Sequence, residues 1–178
     1  ENRSQTHRTL FLLPVDASAM QEFVTPPPVE RGDSVAVVAP ASNVPPELSH
    51  VYELGLERLR ETFDLEPVEY PTATKDPEWL AEHPEERAQD VMDAFEDPDI
   101  SAVITNIGGN DQIRVLPHLD PDVLREHPTR FYGWSDNTNL ACYLWNQGIV
   151  SYYGGSTLLE YAMDAEMFDY SVEYIGRA

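Results

Sequence analysis

The sequence predicts an α/β protein built on a mainly parallel sheet with helices on both faces. Short apolar runs alternate along the chain with longer segments in which apolar residues recur every three or four positions. The short runs are typical of strands buried on both sides, whereas the longer spacing is typical of one helix face. Strands that alternate with helices are joined by right-handed crossovers, which make neighbouring strands parallel.

The first half of the chain carries two predicted strands and the clearest helix. Residues 34–39 (SVAVVA) form the first apolar run, which Pro40 ends. A helix is predicted over residues 48–63, because apolar residues recur there at spacings of four, four, three and four: Leu48, Tyr52, Leu56, Leu59 and Phe63. The second strand is predicted at residues 65–70 and is closed by Pro71.

The second half continues the alternation. A helix is predicted to begin at Pro84, since proline suits the first turn of a helix. Strands are predicted at residues 100–105, 130–134 and 149–153, and helices at residues 136–147 and 156–175, with Gly148 ending the first of these. Five strands in this alternation suit the flavodoxin-like order 2-1-3-4-5.

The chain is interpreted as an extension followed by one domain. Residues 1–30 lack a clear period and include a proline-rich stretch, so they are read as an N-terminal extension. Residues 31–155 form the predicted α/β domain. The apolar run at residues 10–13 is too short for a signal peptide, and a cytoplasmic location is expected.

Acidic residues dominate the charge. The chain has 32 Asp and Glu against 11 Lys and Arg, a formal net charge of −21, and Lys75 is its only lysine. Such a surface repels phosphates and anionic lipids, so neither a nucleic-acid nor a membrane partner is expected. Adaptation to high salt, which screens the repulsion, is the preferred interpretation; an ordinary acidic protein is the alternative. A single cysteine, Cys142, excludes a disulfide within the chain.

The loop after the fourth strand holds the candidate nucleophile. Ligands of open parallel sheets bind beyond the carboxyl ends of the strands, and there Gly133-Trp134-Ser135-Asp136 runs directly from strand into helix. A serine at such a corner is exposed, as in a nucleophile elbow, and the adjacent helix N-terminus favours an oxyanion. The alternative interpretation is that Ser135 or Asp136 only caps the helix.

The loop after the third strand supplies possible donors. Gly108 and Gly109 let the backbone approach a ligand closely, and the third and fourth strands are expected to be neighbours. A glycine N–H could therefore point at the same spot as Ser135, which gives the minimum for acyl transfer. The alternative is a tight turn; a phosphate cradle is disfavoured because no G-x-G-x-x-G or G-K-[ST] is present.

No general base is recognisable in the sequence. The five histidines are His7, His50, His83, His118 and His127. None is predicted at the carboxyl end of a strand, so each is interpreted as a surface or core residue. The sequence therefore indicates a nucleophile without its base.

Three segments together resemble the LD-carboxypeptidase family of serine peptidases. They are GDSVAVVAPAS (residues 32–42), IGGNDQIRVLPHLD (107–120) and GWSDNT (133–138). The resemblance extends over about residues 25–178, and the IGGND form is closer to the microcin C self-immunity branch than to the murein tetrapeptidases. Trp134 departs from the usual Tyr or Phe. The resemblance implies a flavodoxin-like, three-layer domain of the class I glutamine amidotransferase type.

The resemblance also implies roles for residues. Ser135 would be the catalytic nucleophile, Gly109 and Asp136 would give the oxyanion-hole N–H groups, and the substrate-binding rim would be formed by Asn110, Asp111 and Arg114. No metal or organic cofactor is implied, and the family is commonly homodimeric.

The implied reaction is hydrolysis of an amide in an L,D-peptide or peptide–nucleotide conjugate through an acyl-enzyme. The family's catalytic Glu and His lie in a C-terminal domain, so residues 156–178 would begin the connection to it. We therefore expect no peptidase activity from these 178 residues alone, and an uncovered apolar face where that domain would dock. Two alternatives stay open: a non-catalytic small-ligand or assembly domain of the same fold, and a different amidase.

Overall fold

A computed structural model describes residues 22–44 and 48–178. Within these residues the strands are β1 (Ser34–Val38), β2 (Glu66–Glu69), β3 (Ile100–Thr105), β4 (Arg130–Gly133) and β5 (Tyr152–Tyr153). The α-helices are α1 (Ser49–Phe63), α2 (Pro77–Glu82), α3 (Pro84–Glu96), α4 (Pro121–Glu126), α5 (Thr138–Asn146) and α6 (Asp169–Ile175). No helix in these two ranges is long and apolar enough to cross a membrane.

The five strands form one parallel sheet in the order β2-β1-β3-β4-β5. The predicted fold class and strand order are confirmed. The central strand, β3, lies between β1 and β4, and all three are almost fully buried. Because the strands are parallel, the loops that follow β1, β3 and β4 leave the sheet at one edge.

Side chains from alternate strand positions enter two separate cores, one on each side of the sheet. On one side, Val38, Val103 and Phe131 belong to a cluster with buried residues of α3 and α5. On the other side, Val37 and Ile104 pack with residues of α1 and of the segment after β5. The sheet is thus the middle of three layers.

Two short helices, α2 and α4, were not predicted. Each begins at a proline that follows an aspartate, and the aspartate side chain accepts a backbone hydrogen bond from the first turn. Asp76 accepts from Trp79 N–H at 2.8 Å, and Asp120 accepts from Asp122 N–H at 2.8 Å. The sequence did carry a signal for these helices, namely the two Asp-Pro pairs. Aspartate is favoured as the N-cap of a helix, and proline is favoured at the first helical position.

The predictions after α5 need two corrections. The fifth strand is shorter than residues 149–153, because Val24 N–H donates to Gly148 O and Val150 N–H donates to Val24 O, so residues 149–150 pair with the N-terminal segment. The helix predicted at 156–175 is present only as α6. The turns before it are held by Arg58, which donates to the carbonyl oxygens of Tyr161 and Ala165.

Residues 22–30, part of the predicted extension, lie against the domain. Besides the Val24 pairing, the buried Arg130 donates from Nε to the carbonyl oxygens of Pro26 and Pro27. Residues 1–21 of that extension lie outside the described residues.

Candidate active site

Ser135 stands at the corner between β4 and α5. It is the first residue of a short 3-10 turn, Ser135–Asn137, and its φ is +60°. This left-handed conformation costs an L-residue roughly 1–2 kcal/mol. Trp134 before it is fully extended, so the chain changes direction at Ser135, whose side chain is exposed. The corner therefore presents a hydroxyl to solvent at the carboxyl edge of the sheet.

The two glycines after β3 lie directly against this corner. A Cβ on Gly108 would stand 2.8 Å from both Cβ and Oγ of Ser135, closer than real Cβ contacts. A Cβ on Gly109 would stand 3.2 Å from Asp136 Oδ2 and 3.1 Å from Ala41 O. The structure thus brings together the loops that follow β1, β3 and β4, with no room for a larger residue at position 108.

Two backbone N–H groups in the loops around the serine have no hydrogen-bond acceptor among the described residues. The first hydrogen bond of the 3-10 turn runs from Asn137 N–H to Trp134 O at 3.2 Å, which leaves the Asp136 N–H without an acceptor inside the turn. Within the described part of the chain, neither this N–H nor that of Gly109 donates to any acceptor. Free N–H groups beside a nucleophile can stabilise negative charge that develops on a carbonyl oxygen.

The Asp136 carboxylate faces the β3 loop rather than the helix. Its Oδ2 accepts from Gln112 N–H at 2.9 Å, and its Oδ1 accepts from Asn139 Nδ2 at 2.9 Å. Neither the turn nor α5 has a side-chain cap, so the capping interpretation of Ser135 and Asp136 is wrong.

A buried amide network that the sequence did not reveal fixes the two loops. Asn137 donates from Nδ2 to Thr105 Oγ1 at 3.2 Å and to Ile107 O at 3.0 Å. Gln112 donates from Nε2 to Asn137 Oδ1 at 2.6 Å and accepts from Leu140 N–H at 2.9 Å. The only sequence signal was that polar residues occupy positions 112 and 137 among core residues, and both side chains are buried.

The three predicted rim residues differ in availability. Asn110 is exposed, and its side chain makes no hydrogen bond to the described residues. Asp111 accepts from Arg87 at 3.0 and 3.4 Å and from Arg114 at 3.2 Å. Arg114, about half exposed, also donates to Ala81 O at 2.6 Å. Asn110 is free to contact a ligand, whereas Asp111 is held by two guanidinium groups of its own chain.

A further unpredicted residue, Glu160, connects the nucleophile loop to the loop after β5. Its Oε2 accepts from the indole Nε1 of Trp134 at 3.3 Å and from Ser156 N–H at 2.8 Å. The unusual tryptophan of the motif thus has a hydrogen-bond partner that a phenylalanine there would leave unused.

No described histidine serves Ser135. His50 lies in α1, His118 ends a 3-10 turn and His127 follows α4. His83 stacks on Trp79 with ring centroids 3.9 Å apart. None of these four hydrogen-bonds the serine, and His7 lies outside the described residues. In residues 22–44 and 48–178, no group of three His, Cys, Asp or Glu side chains could hold a metal ion.

Comparison with known proteins gives a consistent result. Residues 35–154 match the family described as the LD-carboxypeptidase N-terminal domain. A Bacillus subtilis protein named "Probable murein peptide carboxypeptidase" is 31% identical over 146 residues, which cover 78% of this chain and 43% of that protein. The microcin C7 self-immunity protein MccF of Escherichia coli is 29% identical over 89 residues, covering 49% of this chain and 26% of that protein.

A solved structure agrees with both. The MccF-like protein from Streptococcus pneumoniae in complex with AMP superimposes with a TM-score of 0.76 at 32% identity, covering 82% of this chain and 44% of that one. The chain therefore spans less than half the length of the relatives that it matches.

Proposed function

The chain belongs to the LD-carboxypeptidase N-terminal domain family, and we propose from this membership that it is the nucleophile-bearing part of a serine carboxypeptidase. One observation carries the proposal: an exposed serine in a left-handed corner, with Gly108 packed against it and Gly109 packed against the neighbouring Asp136. Strain of this kind persists where the surrounding structure holds it, and it is typical of functional sites.

The proposed reaction is hydrolysis of an amide through an acyl-enzyme. Ser135 Oγ attacks the carbonyl carbon, and the resulting oxyanion accepts hydrogen bonds from the Gly109 and Asp136 N–H groups. The amine leaves with a proton, and water then attacks the ester to release the acid and restore the serine. Donors of this kind are typically worth about 10²–10³-fold in rate each.

The proton of Ser135 must be taken by a base, and none of the four described histidines hydrogen-bonds the serine. We assign this role to a histidine, oriented by a glutamate, in a C-terminal domain, because the family resemblance implies this pair and the relatives are more than twice as long as the segment they share with this chain. The segment after β5 would lead to that domain. Exposed aromatic side chains near it, Tyr153, Phe168, Tyr170 and Tyr174, are consistent with a covered surface in the longer protein.

The proposed substrate is a small peptide with a free polar end, either an L,D-peptide or a peptide–nucleotide conjugate. The relatives point to these two classes through the words murein peptide and microcin, and through the AMP in the pneumococcal structure. Asn110 and the exposed part of Arg114 would contact the peptide. A homodimer, which the family resemblance implies, and a cytoplasmic location remain predictions.

A fluorophosphonate probe tests the nucleophile in the full-length gene product that contains this chain. We expect one labelled site, mapped by peptide mass spectrometry to Ser135 and abolished in Ser135→Ala. The matched control is Ser42→Ala, in the neighbouring loop after β1, which should label as the wild type does. Labelling that survives Ser135→Ala would assign the reaction to another residue.

The second candidate, a non-catalytic ligand-binding domain, is favoured by the lack of a base among the described histidines. An unlabelled full-length protein that still binds a murein tetrapeptide or AMP in calorimetry would support this candidate. Cleavage of a murein tetrapeptide or of a peptidyl adenylate, followed by mass spectrometry, would reject it and identify the substrate class.

A further inference from the structure

The arginine on α3, Arg87, has a completely buried side chain. Removing a guanidinium from water is costly, and good pairing must offset that cost. In Arg87 the pairing is incomplete, because the buried Nε has no hydrogen-bond partner. Replacing a buried ion pair as a whole by apolar side chains is often neutral for stability, whereas removing only one partner is costly because the other charge is left unpaired. Fold stability therefore does not by itself account for an arginine here.

The contacts of Arg87 join two loops of the candidate site. Nη1 donates to Ala41 O at 3.0 Å and to Asp111 Oδ1 at 3.0 Å, and Nη2 donates to Asp111 Oδ2 at 3.4 Å. The guanidinium group thus hydrogen-bonds both a carbonyl oxygen of the loop after β1 and the carboxylate of the loop after β3. A lysine could not make all of these contacts, since its ammonium is a single point of charge.

Gly109 lies close to both points that Arg87 holds. It precedes Asp111 by two residues, and a Cβ on it would stand 3.1 Å from the carbonyl oxygen of Ala41, the acceptor that Arg87 holds. A shift of either point would move the Gly109 N–H relative to Ser135. We propose that Arg87 is a positioning residue that fixes the Gly109 N–H for the oxyanion, with Asp111 as its partner rather than as a substrate contact. This inference rests on the proposed function of Ser135.

Two measurements test the inference. The first, on the 178-residue chain, is the backbone ¹⁵N order parameter of Gly109, expected near 0.85 in the wild type and below about 0.6 in Arg87→Met. The second, on the full-length protein, is the rate of fluorophosphonate labelling at Ser135, expected to fall about 10- to 100-fold in Arg87→Met when both proteins are assayed well below the melting temperature of the variant. Arg87→Lys should recover part of the rate, and Asp111→Asn should show the same local loosening.

Arg60→Met is the matched control, because Arg60 makes an exposed ion pair with Glu66 and should change neither readout. An unchanged order parameter in both Arg87→Met and Asp111→Asn would overturn the inference. So would loosening spread evenly through α5 and the sheet, which would indicate a merely structural role. If Arg87→Met does not fold, Arg87→Lys and Asp111→Asn decide by the same criteria. An unlabelled wild type would instead reject the proposed function, while the order parameters would still decide whether Arg87 holds the loop.

Discussion

The hydroxyl oxygen of Ser135 lies 2.8 Å from the point at which a Cβ on Gly108 would stand. Gly108 has no positive φ, so the close approach to Ser135, rather than a left-handed backbone, is what requires glycine there. The two strand-end loops are therefore packed as tightly as their backbones allow.

Replacing Gly108 with alanine should displace the nucleophile. The added methyl would overlap both Cβ and Oγ of Ser135, and a misplacement of about 1 Å can cost roughly 10²-fold in rate. We expect the labelling rate of Ser135 to fall at least tenfold. Gly32→Ala is the control: its φ of +91° makes alanine strained there, but no atom lies within 4 Å of the added methyl. A Gly108→Ala protein that labels as fast as Gly32→Ala would contradict this packing.

Replacing Ser135 with glycine should stabilise the fold while it abolishes labelling. Glycine adopts positive φ without the cost borne by serine, and its greater entropy in the unfolded chain offsets part of the gain. We expect a gain of about 0.5–1 kcal/mol in the free energy of unfolding, measured in urea. Ser135→Ala keeps the strain and should not share the gain.

A matched control exists at the end of α1, where Asp64 has a φ of +57°. Asp64→Gly should be stabilised to a similar extent and should keep full labelling. If Ser135→Gly is less stable than Ser135→Ala, the corner is not strained as described.

The parts of the fold that the sequence predicted are those set by local patterns. The helix at 48–63 and the strand at 100–105 were found because one buries a stripe and the other a continuous run. The failed helix at 156–175 is a tertiary effect: Arg58, more than a hundred residues earlier, holds the carbonyls of Tyr161 and Ala165 in turns. No local pattern encodes such a contact.

The candidate site also has features that local sequence patterns predict and features that they do not. The corner at Ser135 was predictable because a strand, a small polar residue and a helix follow one another within six residues. The contacts of Arg87, Gln112 and Glu160 were not predictable, since each joins segments that are distant in the chain. The separation is 24 residues between Arg87 and Asp111, 25 between Gln112 and Asn137, and 26 between Glu160 and Trp134. Their side chains are polar members of helices and loops, which elsewhere usually face solvent.

The stability of the fold should depend on pH through Asp90, which carries a buried carboxyl group on α3. Burial raises its pKa above the ordinary value; the hydrogen bond from Thr72 opposes this rise, and the nearby charge of Asp93 adds to it. The folded state therefore binds this proton more tightly than the unfolded state does. At neutral pH the buried charge is a cost, which disappears as the pH falls through the raised pKa towards about 4.

Asp90→Asn should accordingly be more stable than the wild type at pH 7, because an amide oxygen can still accept from Thr72 N–H without a charge to desolvate. The difference should shrink below the raised pKa and vanish below about pH 4. Urea unfolding at pH 7, 5 and 3.5 measures it. Asp99→Asn removes an exposed charge and controls for the change in net charge. An advantage that is constant across this range would contradict the raised pKa.

Salt should stabilise this protein strongly. The net charge is −21, and four of the five ion pairs in the described residues join an arginine that is about half exposed or more, so most carboxylates repel one another without compensation. Raising the ionic strength from 0.1 to 1 M shortens the screening length from about 10 to about 3 Å. We expect the melting temperature to rise by about 10 °C or more over this range of potassium chloride.

Removing a local cluster of like charges distinguishes electrostatic screening from other effects of salt on the melting temperature. Glu53, Glu57 and Glu61 are exposed on α1 at spacings of four, where like charges destabilise a helix by a few tenths of a kcal/mol per pair. Changing all three to glutamine should raise the melting temperature in 0.1 M salt and leave it nearly unchanged in 2 M salt, because screening has already removed that repulsion. If the wild type melts at one temperature in all salt concentrations, the acidic surface is no adaptation to salt, and the ordinary acidic interpretation holds.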